Sequence, residues 1–291
     1  MKQDMLSNLE SMASGFSKGQ RRIAQFIITS YDKAAFMTAS RLGKAVGVSE
    51  STVVRFATEL GYAGYPQMQK DLQEMVLNRL TSVQRIGVTN ERIGEKDVLS
   101  MVMHADADKL RKTAETISQQ DFSGAVKAIL AARHIYLIGV RSASALANFM
   151  GYYLNYMFDN VHIVTASGTG EIFEKLVNVG PEDVVLAFSF PRYSAATVKG
   201  VEYCRSVGAT VIGLTNSNLS PLSQNCDHLL LAKSDMVSIV DSLVAPLSVI
   251  NALLVALASS REEALAKTFG TLERVWDEYH VYEKRVDAHE V

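Results

Sequence analysis

The chain of 291 residues is 48% hydrophobic, which is enough to build about two domains with substantial cores. Cys204 and Cys226 show neither metal-ligand nor disulfide spacing, which fits a reducing cytoplasm. The most apolar run, Leu243 to Leu257, is shorter than a membrane span requires, so we expect a buried or subunit-facing helix there. The net charge of −2 is uneven: residues 1–80 hold ten Lys and Arg against seven Asp and Glu, and the remainder holds 19 against 24.

A basic amino-terminal part on an acidic body is the distribution expected of a nucleic-acid-binding head attached to a sensor. The amino terminus reads MKQDMLSNLE, which is too polar for a signal peptide, so we expect a cytoplasmic protein. The first 15 residues predict a short helix. Ser17 then caps a longer helix with an apolar stripe of Ile23, Phe26, Ile27 and Tyr31, and its Lys18, Arg21 and Arg22 are candidate contacts to a DNA backbone.

The stretch from Thr38 to Gly61 predicts a helix, a tight turn and a second helix, which is the size of a helix-turn-helix DNA reader. The first helix offers Leu42 and Val46 to a core, and Gly47 lies just after its last turn, where a left-handed backbone costs a glycine little. Ser49 is the predicted N-cap of the second helix. Three residues of that helix are predicted to pack: Val53, Val54 and Leu60.

The opposite face of the second helix carries the residues predicted to read DNA. Short hydroxyl side chains in the first turn let the backbone approach a groove, and an arginine one turn later reaches a phosphate or a guanine edge. Two glycines and two tyrosines follow, and then a third helix that begins at Pro66 and continues to Arg79. The predicted DNA-contacting residues are Ser49, Glu50, Ser51, Thr52, Arg55, Tyr65 and Lys70.

This segment resembles the DNA-binding domain of the RpiR/MurR family of bacterial transcriptional regulators. In that family a Val-Ser-x-x-Thr-x-x-Arg-Phe run is followed by Leu-Gly-aromatic-x-Gly-aromatic. The matching residues here are Val48, Ser49, Thr52, Arg55, Phe56, Leu60, Gly61, Tyr62, Gly64 and Tyr65. The resemblance implies that the amino-terminal domain binds double-stranded operator DNA.

The pattern changes after a predicted linker, Thr81 to Lys96. Two helices are predicted at Asp97 to Ser118 and Phe122 to Ala132, and short apolar runs typical of buried parallel strands then alternate with helical patterns. This alternation predicts an α/β domain with helices on both faces of a parallel sheet. The predicted strands are Ile135 to Gly139, Val161 to Val164, Val184 to Phe188, Thr210 to Leu214 and His228 to Leu231, and the main helices between and after them are Ala143 to Phe158, Ser194 to Val207 and Ser238 to Ala258.

Hydroxyl and basic side chains follow three of these strands, where ligands bind in this architecture. Unpaired N–H groups and the positive end of the helix dipole at helix N-termini suit an anion such as phosphate. A single Ser or Thr there is usually an ordinary helix cap, but three such loops at one sheet edge favour a pocket. The predicted ligand-binding residues are Gly139, Arg141, Ser142, Ser144, Ser189, Arg192, Ser194 and Thr215.

This region, residues 107–260, resembles the SIS (sugar isomerase) domain, in which a Gly-x-Gly-x-Ser turn and a Ser-x-Ser-Gly-x-Thr loop hold a phosphate. Arg141 replaces the second glycine and Ala143 the serine of the first motif, whereas Pro191 and Arg192 replace the inner Ser and Gly of the second. The resemblance implies a phosphosugar ligand. Because the added guanidinium groups would also bind a carboxylate, a sugar acid is the second candidate ligand.

We therefore predict a DNA-binding domain in residues 1–80, a linker and connecting helix in 81–106, an effector domain in 107–260 and a helical extension in 261–291. The predicted function is a regulator that senses an anionic sugar as a homodimer or homotetramer on a palindromic operator, with no catalytic residue, cofactor or metal. The alternative is a sugar-phosphate isomerase, for which Glu171, Glu174 and His162 are the available acids and bases. The candidate subunit faces are the apolar helix at Leu243 to Leu257 and the aliphatic part of Ala143 to Phe158; the alternative is that both helices simply cover the sheet within one chain.

Overall fold

The structure is a computed structural model that describes residues 9, 12, 15–79, 97–165, 168–234 and 240–282. Its contacts form two compact units, and the boundary between them lies at Lys96 and Asp97. Most of the predicted helix in residues 1–15, the whole Thr81 to Lys96 linker and the last nine residues of the extension lie outside the described residues.

The described part of the first unit is helical. Its core is built from one side of each main helix: Ile23 and Ile27 of the first, Leu42 of the third and Phe56 of the fourth are all fully buried, and Phe16 packs edge-on against Phe56 at 5.3 Å. The helices are α1 (Lys18–Thr29), α2 (Tyr31–Ala34), α3 (Ala39–Val46), α4 (Glu50–Glu59) and α5 (Tyr65–Arg79).

The predicted caps at Ser17, Gly47 and Ser49 are confirmed. The Ser17 hydroxyl accepts a hydrogen bond from the Gln20 amide, and the Gln20 side chain accepts one from the Ser17 amide, which forms a capping box at the start of α1. Gly47 ends α3 with φ of 70°, a left-handed conformation that favours glycine, and the Ser49 hydroxyl accepts from the Thr52 amide to begin α4. Local chemistry thus fixes the turn between α3 and α4.

Two packing predictions in this unit are wrong. Val54 is 39% exposed, because Val53, Phe56 and Ala57 already occupy the buried side of α4 and Val54 lies about 100° around the helix from Val53. Tyr31 does not extend the stripe of α1, because that helix ends at Thr29 and Tyr31 begins α2.

The second unit contains a five-stranded parallel sheet in the order β2-β1-β3-β4-β5. This confirms the predicted α/β fold. Short 3-10 turns lie at Arg141–Ala143 and Ser223–Asn225. The elements are α6 (Val98–Thr116), α7 (Gln119–Ala131), β1 (Ile135–Gly139), α8 (Ser144–Leu154), β2 (Val161–Val164), α9 (Thr169–Leu176), β3 (Val184–Phe188), α10 (Ala195–Ser206), β4 (Thr210–Thr215), β5 (His228–Leu231), α11 (Val244–Ser260) and α12 (Glu262–Glu278).

Strand β1 illustrates how the sheet divides two cores. Ile135 and Leu137 pack with α7, α8 and α11 on one face, whereas Tyr136 and Ile138 pack with α9 and α10 on the other. Successive side chains of a strand point to opposite faces, and all five positions of β1 are buried, so the run is continuously apolar.

Three helices differ by three or more residues from their predicted limits. Helix α7 begins at Gln119, three residues before the predicted start at Phe122. Helix α8 stops at Leu154, four residues before Phe158, and α11 begins at Val244; the predicted start at Ser238 lies outside the described residues. Among the described residues, no single helix is long and apolar enough to cross a membrane. Helices α11 and α12 meet that measure only as a pair, and they are bent by 96° at their junction.

A buried carboxylate joins the amino-terminal ends of β1 and β3. The Asp183 side chain is fully buried and accepts hydrogen bonds from Arg133 Nε at 2.9 Å, Arg133 Nη2 at 2.8 Å and the Gly180 amide at 2.8 Å. Burial raises the pKa of Asp183, but the hydrogen bonds from Arg133 and Gly180 outweigh it, so the pKa is lowered overall.

We expect Asp183→Asn to lower the free energy of unfolding by about 1–3 kcal/mol at pH 7, because the amide cannot accept all three hydrogen bonds. A lowered pKa means that the carboxylate stabilises the fold above its unfolded pKa of about 3.9 and that this contribution is lost as pH falls through the folded pKa. Denaturant unfolding should therefore show a gap between wild type and variant that closes below about pH 4. Asp108→Asn, at an exposed site on α6, is the control, and an equal loss in both variants would contradict the prediction.

Candidate functional sites

The amino-terminal turn of α4 presents a cluster of hydroxyl groups. Ser49 Oγ lies 2.9 Å from Ser51 Oγ and 2.8 Å from Thr52 Oγ1, and it also accepts from the Thr52 amide at 3.3 Å. Ser49, Ser51 and Arg55 are exposed, and Thr52 is half-buried. The positive end of the helix dipole and these donors suit a phosphate or a base edge, and Arg55 adds a cation one turn later.

Helix α1 places further basic residues in the same unit. Arg22 Nη1 donates to the Gly47 carbonyl at 3.3 Å, which brings a guanidinium group against the turn between α3 and α4. Arg21 Nε donates to the Phe16 carbonyl at 2.9 Å. Lys18, Glu50 and Lys70 are exposed. A surface of this kind can follow a DNA backbone through its cations while the first turn of α4 approaches the bases.

Tyr65 is the exception among the predicted DNA contacts. Its side chain is 4% exposed, its hydroxyl donates to the Met37 carbonyl at 2.7 Å, and burial raises its pKa to about 12. Gln69 donates to the same carbonyl at 2.7 Å. Tyr65 therefore joins α5 to the segment before α3, and we withdraw it from the predicted DNA contacts.

The strand order places the second candidate site at one edge of the sheet. In the order 2-1-3-4-5 the connection from β1 leads to β2 on one side and the later strands are added on the other side, so a topological switch point lies between β1 and β3, and ligands bind at the carboxyl ends of the strands beside it. Gly139 and Phe188 are paired neighbours at those ends. The loops that leave them, residues 140–143 and 189–194, therefore start side by side.

The turn after β1 has the geometry of a glycine-rich loop without its second glycine. A Cβ atom at Gly139 would lie 2.5 Å from the Ala143 carbonyl oxygen, so only glycine permits this close return of the chain. Arg141 has φ of 59°, a left-handed conformation that is uncommon for a residue other than glycine. Arg141 thus holds a left-handed conformation that favours glycine, and its side chain is exposed.

Buried hydroxyl groups without partners lie at the ends of β3 and β4 and in the first turn of α10. Ser189 Oγ, Thr197 Oγ1 and Thr215 Oγ1 make no hydrogen bond to the described part of the chain, and their residues are 3%, 1% and 0% exposed. A buried polar group without a partner costs about 1–3 kcal/mol. Such groups are rare enough to need an explanation, and at a ligand-binding edge a bound molecule provides one.

The other predicted ligand-binding residues differ in their hydrogen bonds and in their exposure. Ser144 Oγ donates to the Arg141 carbonyl at 2.6 Å, so its hydrogen stabilises the turn after β1. Ser194 is the N-cap residue of α10 but makes no side-chain cap hydrogen bond, which leaves the first amides of that helix without a side-chain acceptor from the cap. Ser142 and Arg192 are exposed, and Ser194 is half-buried.

Two family models match the chain. The model of the helix-turn-helix domain of the rpiR family matches residues 3–78, and that of the SIS domain matches residues 128–256. The chain belongs to the RpiR family. It is a transcriptional regulator with an amino-terminal helix-turn-helix domain and a SIS domain.

Relatives of this RpiR-family chain are similar over most of its length. A helix-turn-helix transcriptional regulator of Haemophilus influenzae is 24% identical over 273 residues, which cover 91% of this chain and 93% of the relative. The sugar isomerase domain of an RpiR transcription factor from Sphaerobacter thermophilus is 27% identical, with a TM-score of 0.58 over 61% of this chain and 98% of that domain. The Vibrio vulnificus NanR protein complexed with ManNAc-6P is 23% identical, with a TM-score of 0.58, and the match covers 94% of this chain and 98% of NanR.

Sequence reasoning missed one member of the RpiR-family chain's candidate effector site. Thr197 lies in the first turn of α10, next to the predicted loop, and its hydroxyl is as buried as those of Ser189 and Thr215. A threonine at the third position of a helix reads as an ordinary helix residue. In the sequence, the only sign of a role for Thr197 is that it lies close to Ser194.

The three side chains named as acids and bases for an isomerase are either paired with other residues or exposed. His162 Nε2 lies 3.1 Å from His134 Nδ1, and its ring stacks on Tyr136; burial and then His134 lower the pKa of His162. His162 pairs with the second residue of β1, not with its carboxyl end. Glu171 forms an ion pair with Lys175 at 2.8 Å, and Glu174 is exposed.

Proposed function

We propose that this regulator senses an anionic sugar, with a phosphorylated sugar as first choice, and that the bound sugar changes its affinity for operator DNA. The observation that carries the proposal is the set of buried hydroxyl groups without partners at the ends of β3 and β4, beside the switch point of the sheet. A phosphate supplies acceptors for several such donors at once.

Three further features support an anion. Helix α10 begins at this edge without a side-chain cap, so its first amides and its dipole favour a negative group. Arg141 adds a positive charge in the turn after β1, and Arg192 lies in the loop after β3. NanR, which shares the fold, is complexed with ManNAc-6P, the 6-phosphate of N-acetylmannosamine. We therefore assign the effector contacts to Gly139, Arg141, Ser142, Ser144, Ser189, Arg192, Ser194, Thr197 and Thr215.

The DNA-binding side of the proposal rests on the exposed first turn of α4. We assign operator contacts to Ser49, Glu50, Ser51, Thr52, Arg55 and Lys70 within a reader of residues 1–80. The proposed domain organisation continues with a connecting segment (81–106), a sensor domain (107–260) and a helical extension (261–291). A single reader covers one half-site, so a dimer or a larger assembly on a palindromic operator supplies the specificity.

We propose that the protein is not an isomerase. Aldose–ketose isomerisation needs a base within hydrogen-bond reach of the sugar carbons. His162 and Glu171 have partners of their own, and Glu174 is an exposed helix residue. The relative from Haemophilus influenzae carries the name of a transcriptional regulator. Turnover of a sugar phosphate by the purified protein would reverse this assignment.

A thermal-shift screen tests the sensor. We expect glucose 6-phosphate, N-acetylmannosamine 6-phosphate or 6-phosphogluconate to raise the unfolding temperature by several degrees, since a ligand at about 100 times its Kd adds about 2.7 kcal/mol of stability. Glucose and N-acetylmannosamine, the matched neutral sugars, should give no shift. If none of the anions stabilises the protein, or if the neutral sugars do so equally, the proposed anion site is wrong.

A further inference from the structure

Asn216, the first residue after β4, is a buried polar side chain with unused donors. It follows Thr215 directly and is 7% exposed. Its side-chain oxygen, Oδ1, accepts a hydrogen bond from the Tyr193 hydroxyl at 2.8 Å. Its side-chain nitrogen, Nδ2, donates to no group in the described part of the chain. Two polar side chains in succession, those of Thr215 and Asn216, therefore keep unused donors at the carboxyl end of β4.

The hydrogen bond between Tyr193 and Asn216 joins two neighbouring loops. Strands β3 and β4 are paired, and Phe188 lies opposite Leu214 near their carboxyl ends. Tyr193 lies in the loop after β3, and Asn216 begins the loop after β4. Because the Tyr193 hydroxyl holds the carboxamide by its oxygen, the N–H groups of Nδ2 point away from the tyrosine. A residue of the neighbouring loop thus fixes the orientation of Asn216.

Two serines of the loop after β4 bond to the backbone of that loop. Ser217 Oγ accepts a hydrogen bond from the Leu219 amide at 3.1 Å, and Ser220 Oγ accepts one from the Leu222 amide at 3.2 Å. Short-range hydrogen bonds of this kind stabilise a turn from within. Asn216 makes no such bond, so the loop holds its donors in place without using them.

The charges at this edge of the sheet are unevenly distributed. Arg141 and Arg192 lie in the loops after β1 and β3, and α10 begins after the second of these loops without a side-chain cap. Residues 216–226, which follow β4, contain no Asp, Glu, Lys or Arg. An anionic group is therefore favoured beside β1 and β3, and a neutral group is favoured beside β4. The N–H groups of a carboxamide suit the hydroxyl and carbonyl oxygens of a sugar.

We propose that Asn216 contacts the uncharged part of the effector, with Nδ2 donating to a hydroxyl or carbonyl oxygen of the sugar, and that Tyr193 positions it for this contact. The inference rests on the proposed function and extends it, because it assigns the anionic group and the sugar to different strands. Asn216 then selects among anionic sugars, since a buried donor rejects a ligand that offers no acceptor there. Tyr193 acts through Asn216 and is a positioning residue.

Calorimetric titration of the full chain separates the two parts of the site. The probes are glucose 6-phosphate, N-acetylmannosamine 6-phosphate, 6-phosphogluconate and, in competition with them, inorganic phosphate. We expect Asn216→Ala to raise the Kd of the tightest phosphorylated sugar by about 10-fold, because neutral hydrogen bonds are lost, and to leave the Kd of inorganic phosphate within about twofold. Asn218→Ala, at an exposed residue of the same loop, is the control and should change neither Kd.

A double-mutant cycle tests the role of Tyr193. Tyr193→Phe should raise the Kd of the phosphorylated sugar by about threefold, because the carboxamide loses the bond that orients it but keeps its donors. In the Asn216→Ala background the same substitution should have no effect on that Kd. Tyr193→Phe removes one hydroxyl only, so it decides the question even if Asn216→Ala does not fold.

The inference is overturned if either variant binds the phosphorylated sugar as the wild type does, or if Asn216→Ala weakens the binding of inorganic phosphate equally. It is also overturned if inorganic phosphate does not compete, or if Tyr193→Phe has its full effect without Asn216. Binding that survives these substitutions leaves the proposed function intact. If the wild-type protein binds none of the phosphorylated probes, the proposed function fails and this inference fails with it.

Discussion

Arg55→Ala should weaken operator binding by about 10- to 100-fold, because a good side-chain contact to a base is worth about 1–3 kcal/mol. Arg55 is exposed on the face of α4 that also presents Ser51, one turn after the hydroxyl cluster that begins the helix. Its loss removes a cation from the surface proposed to enter the groove. The buried side of α4, formed by Val53 and Phe56, is untouched, so the fold should be unchanged.

Titration of labelled operator DNA by fluorescence anisotropy at several salt concentrations measures this effect. If Arg55 contacts a phosphate, the slope of log K against log salt concentration should become smaller by about one unit. If it contacts a base, that slope should stay the same and the preference for one base pair of the operator should weaken. Arg111→Ala is the control, because Arg111 is equally exposed on α6 and pairs with Asp108. Unchanged operator affinity in Arg55→Ala would remove this arginine from the contact surface.

The sequence predicts best those elements in which every residue is apolar and buried. Strand β3, Val184–Phe188, is apolar at every position and bounded by turns, and its limits agree with the prediction to the residue. Caps were equally predictable, because Ser17 and Ser49 act through residues three positions away. Because these features depend on residues that are close in sequence, they can be predicted from the sequence alone.

Positions that depend on distant parts of the chain were less predictable. Tyr65 matches a family motif that surrounds a DNA reader, yet its partner is the Met37 carbonyl, 28 residues away. Val54 is as apolar as Val53, and only the full packing of α4 shows that one faces solvent. A motif fixes which residues recur together, but it does not state which of them face the ligand.

In the candidate effector site, too, some features are visible in the sequence and others only in the packed structure. The sequence places Ser189 and Thr215 after strands, and the resemblance to the SIS domain adds a reason to expect phosphate there. The absence of protein partners for their hydroxyls is a property of the packed structure. So is the left-handed backbone of Arg141, at a position where the loss of glycine would otherwise predict a changed turn.

Removing the two strand-end hydroxyls together, Ser189→Ala with Thr215→Val, should weaken effector binding without lowering stability. Without effector, both hydroxyls are buried and have no partner in the described part of the chain, so their removal should leave the free energy of unfolding unchanged or raise it by about 1 kcal/mol. With effector, each hydroxyl is expected to bond to a charged group, and losing both should raise the effector's Kd at least about 100-fold.

Calorimetric titration with the sugar phosphate that gives the largest thermal shift measures the binding, and denaturant unfolding without ligand measures the stability. Ser206→Ala, at the far end of α10, is the control; its exposed hydroxyl donates to the Tyr203 carbonyl at 2.7 Å, so its loss should affect neither Kd nor operator affinity. A hydroxyl that served only the fold would show the reverse pattern, with lower stability and unchanged binding. Two hydroxyls that hold a ligand and nothing else require weaker effector binding without a loss of stability, because they have no other partner in the described part of the chain.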